Sequence, residues 1–298
     1  MVTPEVNKMN LAIGKVIFSF DFEIGWGDIT NGVWQRRQQQ GVFKKLRTVL
    51  PEMLKMMDSY EIPAEWATVG AMVEQPGERD FSHLTDAQLK IVRDALEAGA
   101  SESFDGTDLF EMVLSAKQEH SIACHSYTHI PFNFSGVDRG VVSGELERFE
   151  RLMKKYGVSS DFLVFPENKE GYHAEVKDAG YRVVRVQPEA VSRNRYLYLA
   201  SVAFLPPPAA KELVNDVGLI RHYGSMLYFD ASSQYRMLML KRRLSLGLAN
   251  AVKNKNCLHI WAHPFNFAES DALLRNFDLV LSDIARLRDR GELEVGLV

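Results

Sequence analysis

Two periodicities alternate along this chain. Short apolar runs with side chains in period two read as strands: KVIFSFDFE (15–23), AEWATVG (64–70), SIACHS (121–126), DFLVFP (161–166), YRVVRV (181–186) and LHIWAH (258–263). Between them lie stretches whose apolar residues recur every three or four positions, the mark of a helix with one buried face. These are VFKKLRTVLPEMLKMMDSY (42–60), GELERFERLMKKYG (144–157), RMLMLKRRLSLGLANAVKN (236–254) and DALLRNFDLVLSDIARLRDRG (271–291). Pro51 is expected to break or kink the first, and Gly291 suits the stop of the last. The stretch 187–235 contains LPPPAAKE and reads as irregular, with one strand within LIRHYGSMLYF (219–229). Strands alternating with helices predict an α/β fold with a parallel sheet or barrel. A length of 298 residues suits one α/β barrel, so a single domain over 1–298 is expected.

Composition narrows the function classes. Hydrophobic residues at 46% and charged residues at 25% are ordinary for a globular protein and exclude disorder, collagen and coiled coil. A net charge of -4 offers no basic face, which argues against nucleic acid as a partner. No window approaches ~18 uninterrupted apolar residues, so no membrane span is expected. The first residues lack a basic start followed by an apolar core, and a cytoplasmic location is the expectation. Cys124 and Cys257 fit that setting as free thiols.

Candidate chemistry sits at three places. In the first strand Ile17, Ser19, Asp21 and Glu23 share one face, which brings two carboxylates to the end of the strand where GWGD (25–28) begins a loop. Parallel α/β folds build their sites at that end, although a solvated acidic pair would look the same. HSYTH (125–129) places two histidines four apart, on one side of either a helix or a strand. It lacks the Glu of a zincin helix, and a lone pair at this spacing arises easily by chance. In LHIWAHPFNF (258–267), Cys257, His259, Trp261 and His263 alternate onto one face, with His263 last before Pro264. His259, deeper in the strand, reads as a buried histidine with one hydrogen bond. Together the three places supply two histidines and a carboxylate, a metal-ligand set with open positions, plus a second carboxylate and a third histidine as base and acid. Trp26, Trp34, Phe132 and Phe134 lie near them in sequence and offer aromatic faces to a ligand, with packing the favoured reading. Tyr127 is expected to pack rather than to catalyse.

SFDFEIGWG, HSYTH, FLVFPENKEGYH and LHIWAHPFNF, in this order, resemble the motifs of the polysaccharide deacetylases with the NodB homology domain, carbohydrate esterase family four. The resemblance runs from about residue 14 to 295 and is most specific at HSYTH. WATVG (66–70) looks closest to a bacterial branch found with surface-polysaccharide genes. It implies a NodB-type distorted (β/α) barrel of about seven parallel strands. It also implies a metal-dependent hydrolase that removes an N-acetyl or other acyl group from an amino sugar in a polysaccharide, an oligosaccharide or a smaller precursor. Glu23, His125 and His129 would hold a divalent ion, zinc first, Asp21 would be the base that takes a proton from water, and His263 the acid. Two positions depart from the family pattern. Phe22 separates two carboxylates that are usually adjacent aspartates, so Glu23 takes the ligand role. The motif around Pro166 has Glu167 and no arginine, leaving Arg185 as the substitute that would orient the base.

Three rival readings accompany this one. The same fold resemblance covers cyclic amide hydrolases of the allantoinase type, toward which the Glu23 departure leans. Two histidines and a carboxylate could hold Fe(II) for an oxygenase, but Tyr127 and Pro131 stand where a close H-x-[DE] pair would need an acid. A catalytically impaired, glycan-binding relative is the third, motivated by the missing arginine and by Glu167.

Overall fold

The structure is a computed structural model, and it describes residues 6–7, 11–187, 205–228 and 233–298. Its strands are β1 (Val6–Asn7), β2 (Gly14–Phe22), β3 (Glu65–Thr68), β4 (Ser121–Cys124), β5 (Phe162–Val164), β6 (Val183–Val186), β7 (Lys211–Val214), β8 (Ile220–Tyr223), β9 (Met226–Leu227), β10 (Cys257–Ala262) and β11 (Leu293–Gly296). The α-helices are α1 (Val33–Gln39), α2 (Val42–Tyr60), α3 (Gly70–Val73), α4 (Asp86–Ala98), α5 (Ser101–Phe104), α6 (Thr107–Leu114), α7 (Arg139–Lys155), α8 (His173–Asp178), α9 (Gln234–Asn254), α10 (Pro264–Glu269) and α11 (Asp271–Asp289).

The strands β6, β5, β4, β3, β2 and β10 lie side by side in that order and are all parallel. The segment 220–227 then joins the two flanks. Its first half, β8, pairs with β6, and after Gly224 and Ser225 its second half, β9, pairs with β10. The sheet therefore curls into a distorted barrel with seven parallel positions, as the NodB resemblance implies. Outside it, β7 runs antiparallel to β8, and β1 antiparallel to β7. β11 pairs with Gly14–Ile17, below the stretch Ser19–Phe22 that pairs with β3.

The alternation of β2 divides its side chains as read. Val16, Phe18, Phe20 and Phe22 enter the main core between sheet and helices, where Phe18 and Phe20 meet Phe277 of α11 edge-on. Ser19 and Asp21 turn the other way, into the barrel, and are buried there. Pro51 neither breaks nor ends α2, which runs unbroken with Leu46, Leu50, Met53 and Met57 buried. The proline sits on its exposed side, where the loss of one backbone hydrogen bond is tolerated. Thr85 and Gln88 form a capping box at the start of α4, a signal in TDAQ that the apolar pattern alone did not single out. Of the stretch 187–235, residues 188–204 and 229–232 lie outside the described residues. The rest is more regular than expected, because Lys211–Val214 forms a strand directly after the prolines.

Candidate active site

The candidate residues converge where β2, β4, β6 and β10 end. β2 stops at Phe22, and Glu23 opens a short 3₁₀ turn, Ile24–Asp28, that swings the chain across the barrel mouth. Gly27 in that turn approaches Glu23 so closely that a Cβ there would overlap its carboxylate. The glycine is what lets the carboxylate fold back over the barrel.

HSYTH is neither helix nor strand. β4 ends at Cys124, and the following loop passes through left-handed backbone at Ser126 (φ 62°) and His129 (φ 63°). Glu145 of α7, itself buried, braces the loop: its carboxylate accepts from the amides of Tyr127 and Thr128 at 2.9 and 2.7 Å and from the Thr128 hydroxyl at 2.6 Å. Tyr127 packs in the core with its hydroxyl bonded to Glu74, as expected of a packing residue. The loop brings the two Nε2 atoms of His125 and His129 within 3.2 Å of each other.

Glu23 Oε2 lies 3.1 Å from His125 Nε2 and 3.0 Å from His129 Nε2. His125 donates its Nδ1 hydrogen to the Val164 carbonyl at 2.7 Å, which leaves a lone pair on Nε2 in the neutral ring. A carboxylate oxygen and two imidazole nitrogens thus face one another in a buried place, close enough together to hold one ion. Burial alone would push the Glu23 carboxyl up, but the charges of His129 and His263 and the histidine hydrogen bonds outweigh it and hold it well below its usual range. Burial likewise opposes charge on His129, and Glu23 overcomes it, raising the imidazole. The donor set of two imidazoles and one carboxylate, the Val164 carbonyl that orients the His125 ring, and the space left by Gly27 all fit a divalent metal.

Asp21 is pinned beside this trio. Arg185 of β6 donates to both its oxygens at 2.6 Å, donates further to Ser19 Oγ at 3.0 Å and Asn168 Oδ1 at 3.3 Å, and lies 4.6 Å from the Trp261 ring centroid. Burial raises the Asp21 carboxyl, and Arg185 more than reverses that, so the group is lowered overall. The arginine missing from the motif around Pro166 is thus supplied, in geometry, by the next strand. Glu167 in that motif is held to one side by the Thr30 hydroxyl at 2.9 Å and by Lys169 at 2.5 Å.

His263 approaches from β10. Its Nε2 lies 3.3 Å from Glu23 Oε1 and 3.9 Å from Asp21 Oδ2, its Nδ1 lies 3.3 Å from Asn266 Oδ1, and Phe265 stacks on the ring. Asp21, Glu23, His125, His129 and His263 line one cavity of about 220 Å³. The sequence reading did not single out Gly27, Glu145, Asn168 or Asn266. Trp26, Trp34 and Phe132 do not line the cavity: all are buried, Trp26 and Trp34 edge-on to Phe104 and Phe132 edge-on to Phe165. Phe134 is partly buried against the core. The two cysteines are free and buried, and burial pushes the Cys257 thiol up to about 12.

The fold is that of the polysaccharide deacetylases. A Mycobacterium smegmatis protein assigned as a polysaccharide deacetylase superposes with a TM-score of 0.57 at 16% identity, over 100% of this chain and 98% of that one. The allantoinase Puue gives 0.51 at 13% identity over 91% and 89% of the two chains. A 4-alpha-glucanotransferase from Thermococcus litoralis gives 0.50 at 12% identity, over 96% of this chain and 39% of that one. No family profile and no curated protein matches the sequence.

Proposed function

We propose that this chain is a metal-dependent hydrolase that removes an N-acyl group, acetyl first among candidates, from an amino sugar. The observation that carries it is the meeting in one cavity, both within 4 Å of His263 Nε2, of a buried Glu23–His125–His129 trio that could hold a cation and a carboxylate, Asp21, held ionised by Arg185. Zinc suits two nitrogens, one oxygen and an open position, although other first-row divalent ions accept the same donors. Such an ion, when bound, supplies Lewis-acid polarisation of the acyl carbonyl and a lowered pKa for water.

The chain's own residues then divide the proton work. Asp21 accepts the proton of the attacking water, since Arg185 keeps it ionised and aimed. His263 delivers a proton to the departing nitrogen as the carbon–nitrogen bond breaks, with Asn266 orienting the ring. A carboxylic acid and a free amine result. The fold shared with a polysaccharide deacetylase is consistent with this reading, and the likeness to Puue keeps a cyclic amide as the second candidate substrate.

The test is to load the purified protein with zinc, cobalt, nickel or manganese and to offer N-acetylated sugars beside cyclic ureides. Acetate release that depends on metal supports the proposal; ring opening alone moves the reading to the cyclic amides. Failure to bind any of these ions overturns it. Asp21→Asn should abolish turnover while sparing metal, and His125→Ala should lose both.

A further inference from the structure

The barrel interior holds a buried polar group of residues that the reaction above does not use. Ser19 Oγ lies 2.7 Å from His259 Nε2, His259 Nδ1 lies 2.8 Å from His222 Nε2, and His222 Nδ1 lies 3.1 Å from Glu212 Oε1. Ser19, His259 and His222 are each fully buried, while the Glu212 side chain is 31% exposed. At the inner end, Arg185 Nη1 donates both to Ser19 Oγ and to Asp21. We propose that Ser19, His259, His222 and Glu212 form a one-way hydrogen-bonded chain that positions Arg185 and, through it, Asp21. The proposal rests on the reading of Asp21 as the base.

The direction follows from the two ends. A guanidinium only donates, and an ionised carboxylate only accepts. Ser19 therefore accepts from Arg185 and donates its hydroxyl hydrogen to His259 Nε2. His259 must then carry its proton on Nδ1 and donate to His222 Nε2, and His222 must carry its own on Nδ1 and donate to Glu212. The reverse fails at both ends. A proton on His259 Nε2 would give Ser19 Oγ two incoming donors and leave its hydroxyl hydrogen without an acceptor among the described residues. With both rings neutral it would also set the His222 Nδ1 lone pair against the Glu212 carboxylate. An imidazolium at His222 repairs the second fault and not the first.

The charges agree with this order. Burial and the Arg185 charge hold His259 well below its ordinary value, so it stays neutral. The His222 hydrogen bond keeps Glu212 lowered and ionised. Both rings are locked by obligate neighbours, and the Ser19 oxygen is fixed as an acceptor at one edge of the Arg185 fork while Asn168 holds the other. Without that acceptor a buried Nη–H would be unpaired and the fork free to turn away from Asp21.

The experiment has two independent readouts on the full chain. Nitrogen-15 spectra should show the Nδ1–H tautomer for both His222 and His259 and separately resolved Arg185 Nη–H signals. Ser19→Ala should collapse the Arg185 signals by freeing the fork, and lower kcat about tenfold to a hundredfold with KM nearly unchanged and metal content intact. Glu212→Gln, which keeps an accepting oxygen, should retain both tautomers and turnover, whereas Glu212→Leu should lose both. An Nε2–H tautomer or an imidazolium at His259 overturns the proposal, as does Ser19→Ala with wild-type kcat and Arg185 spectrum. If no acyl substrate is turned over at all, the functional reading fails, yet the spectra still decide whether the chain holds Arg185.

Discussion

Arg185 meets Asp21 from across the barrel. Nη1 bonds Oδ1 and Nη2 bonds Oδ2, each at 2.6 Å, from a strand separated from β2 in the sheet by β5, β4 and β3. Only a planar fork closes on both oxygens at once. Arg185→Lys should therefore keep the charge and lose the aim, lowering kcat by about a hundredfold while metal content stays at wild type. Arg185→Met should also destabilise the fold by about 3–5 kcal/mol, because it strands a buried carboxylate. Denaturant melts beside steady-state kinetics separate the two effects; a lysine variant with full kcat would remove Arg185 from the site.

Gly27 leaves the space in which the Glu23 carboxylate lies. Its replacement by alanine adds one methyl group where the carboxylate now sits, and Glu23 must swing away from His125 and His129. The expected result is metal affinity reduced about 10- to 100-fold, in line with other changes that misplace a ligand, with little change in thermal stability. Metal titration of the purified variant checks it, and unchanged affinity would mean that Glu23 is not a ligand.

The residues most legible from sequence are those whose direction a regular strand dictates. Period-two alternation put Asp21 on the face opposite Phe20 and Phe22, which the structure shows to be the barrel interior, and the same rule placed His263 at the end of β10. The rings of His125 and His129 meet on neither the helix nor the strand that was weighed, because left-handed residues at Ser126 and His129 bring them together in a loop. Glu145 and Gly27 act through space and through the shape of a turn, which no local period records. Ser19 did carry a signal, a polar residue on the interior face of an apolar strand. Trp26 and Trp34 show the converse: nearness in sequence to a site says little about which way a ring on a turn or helix will point.

Glu145 satisfies two buried backbone amides of the HSYTH loop. Each amide left without an acceptor costs about 1–3 kcal/mol, so Glu145→Leu should lose roughly 2–6 kcal/mol of stability and loosen the histidine pair. Glu145→Gln retains one accepting oxygen and should fall between the leucine variant and wild type. Metal affinity and unfolding midpoint should decline together across the series; a leucine variant with wild-type metal affinity would show that the loop holds its shape unaided.

Acid should weaken the fold through a histidine that does not line the cavity. His120, just ahead of β4, accepts from the Ala64 amide at 3.2 Å, and its ring meets Trp66 edge-on. Burial lowers it from 6.5 to about 4, with only partial opposition from Asp58. Between those values the unfolded chain binds a proton that the folded chain refuses. Stability from this site is thus complete above about pH 6.5 and is lost as pH falls toward 4, with a slope of up to about 1.4 kcal/mol per pH unit. Glu65, raised by its burial, has the opposite dependence, losing its contribution as pH rises through its folded value, so the wild-type curve alone is ambiguous. His120→Asn keeps an acceptor near Nδ1 and removes the titration. The difference between wild-type and variant unfolding free energies, measured from pH 7.5 to 4.5, should shift in the variant's favour as the pH drops, and a difference that stays flat across that range would rule His120 out as the cause.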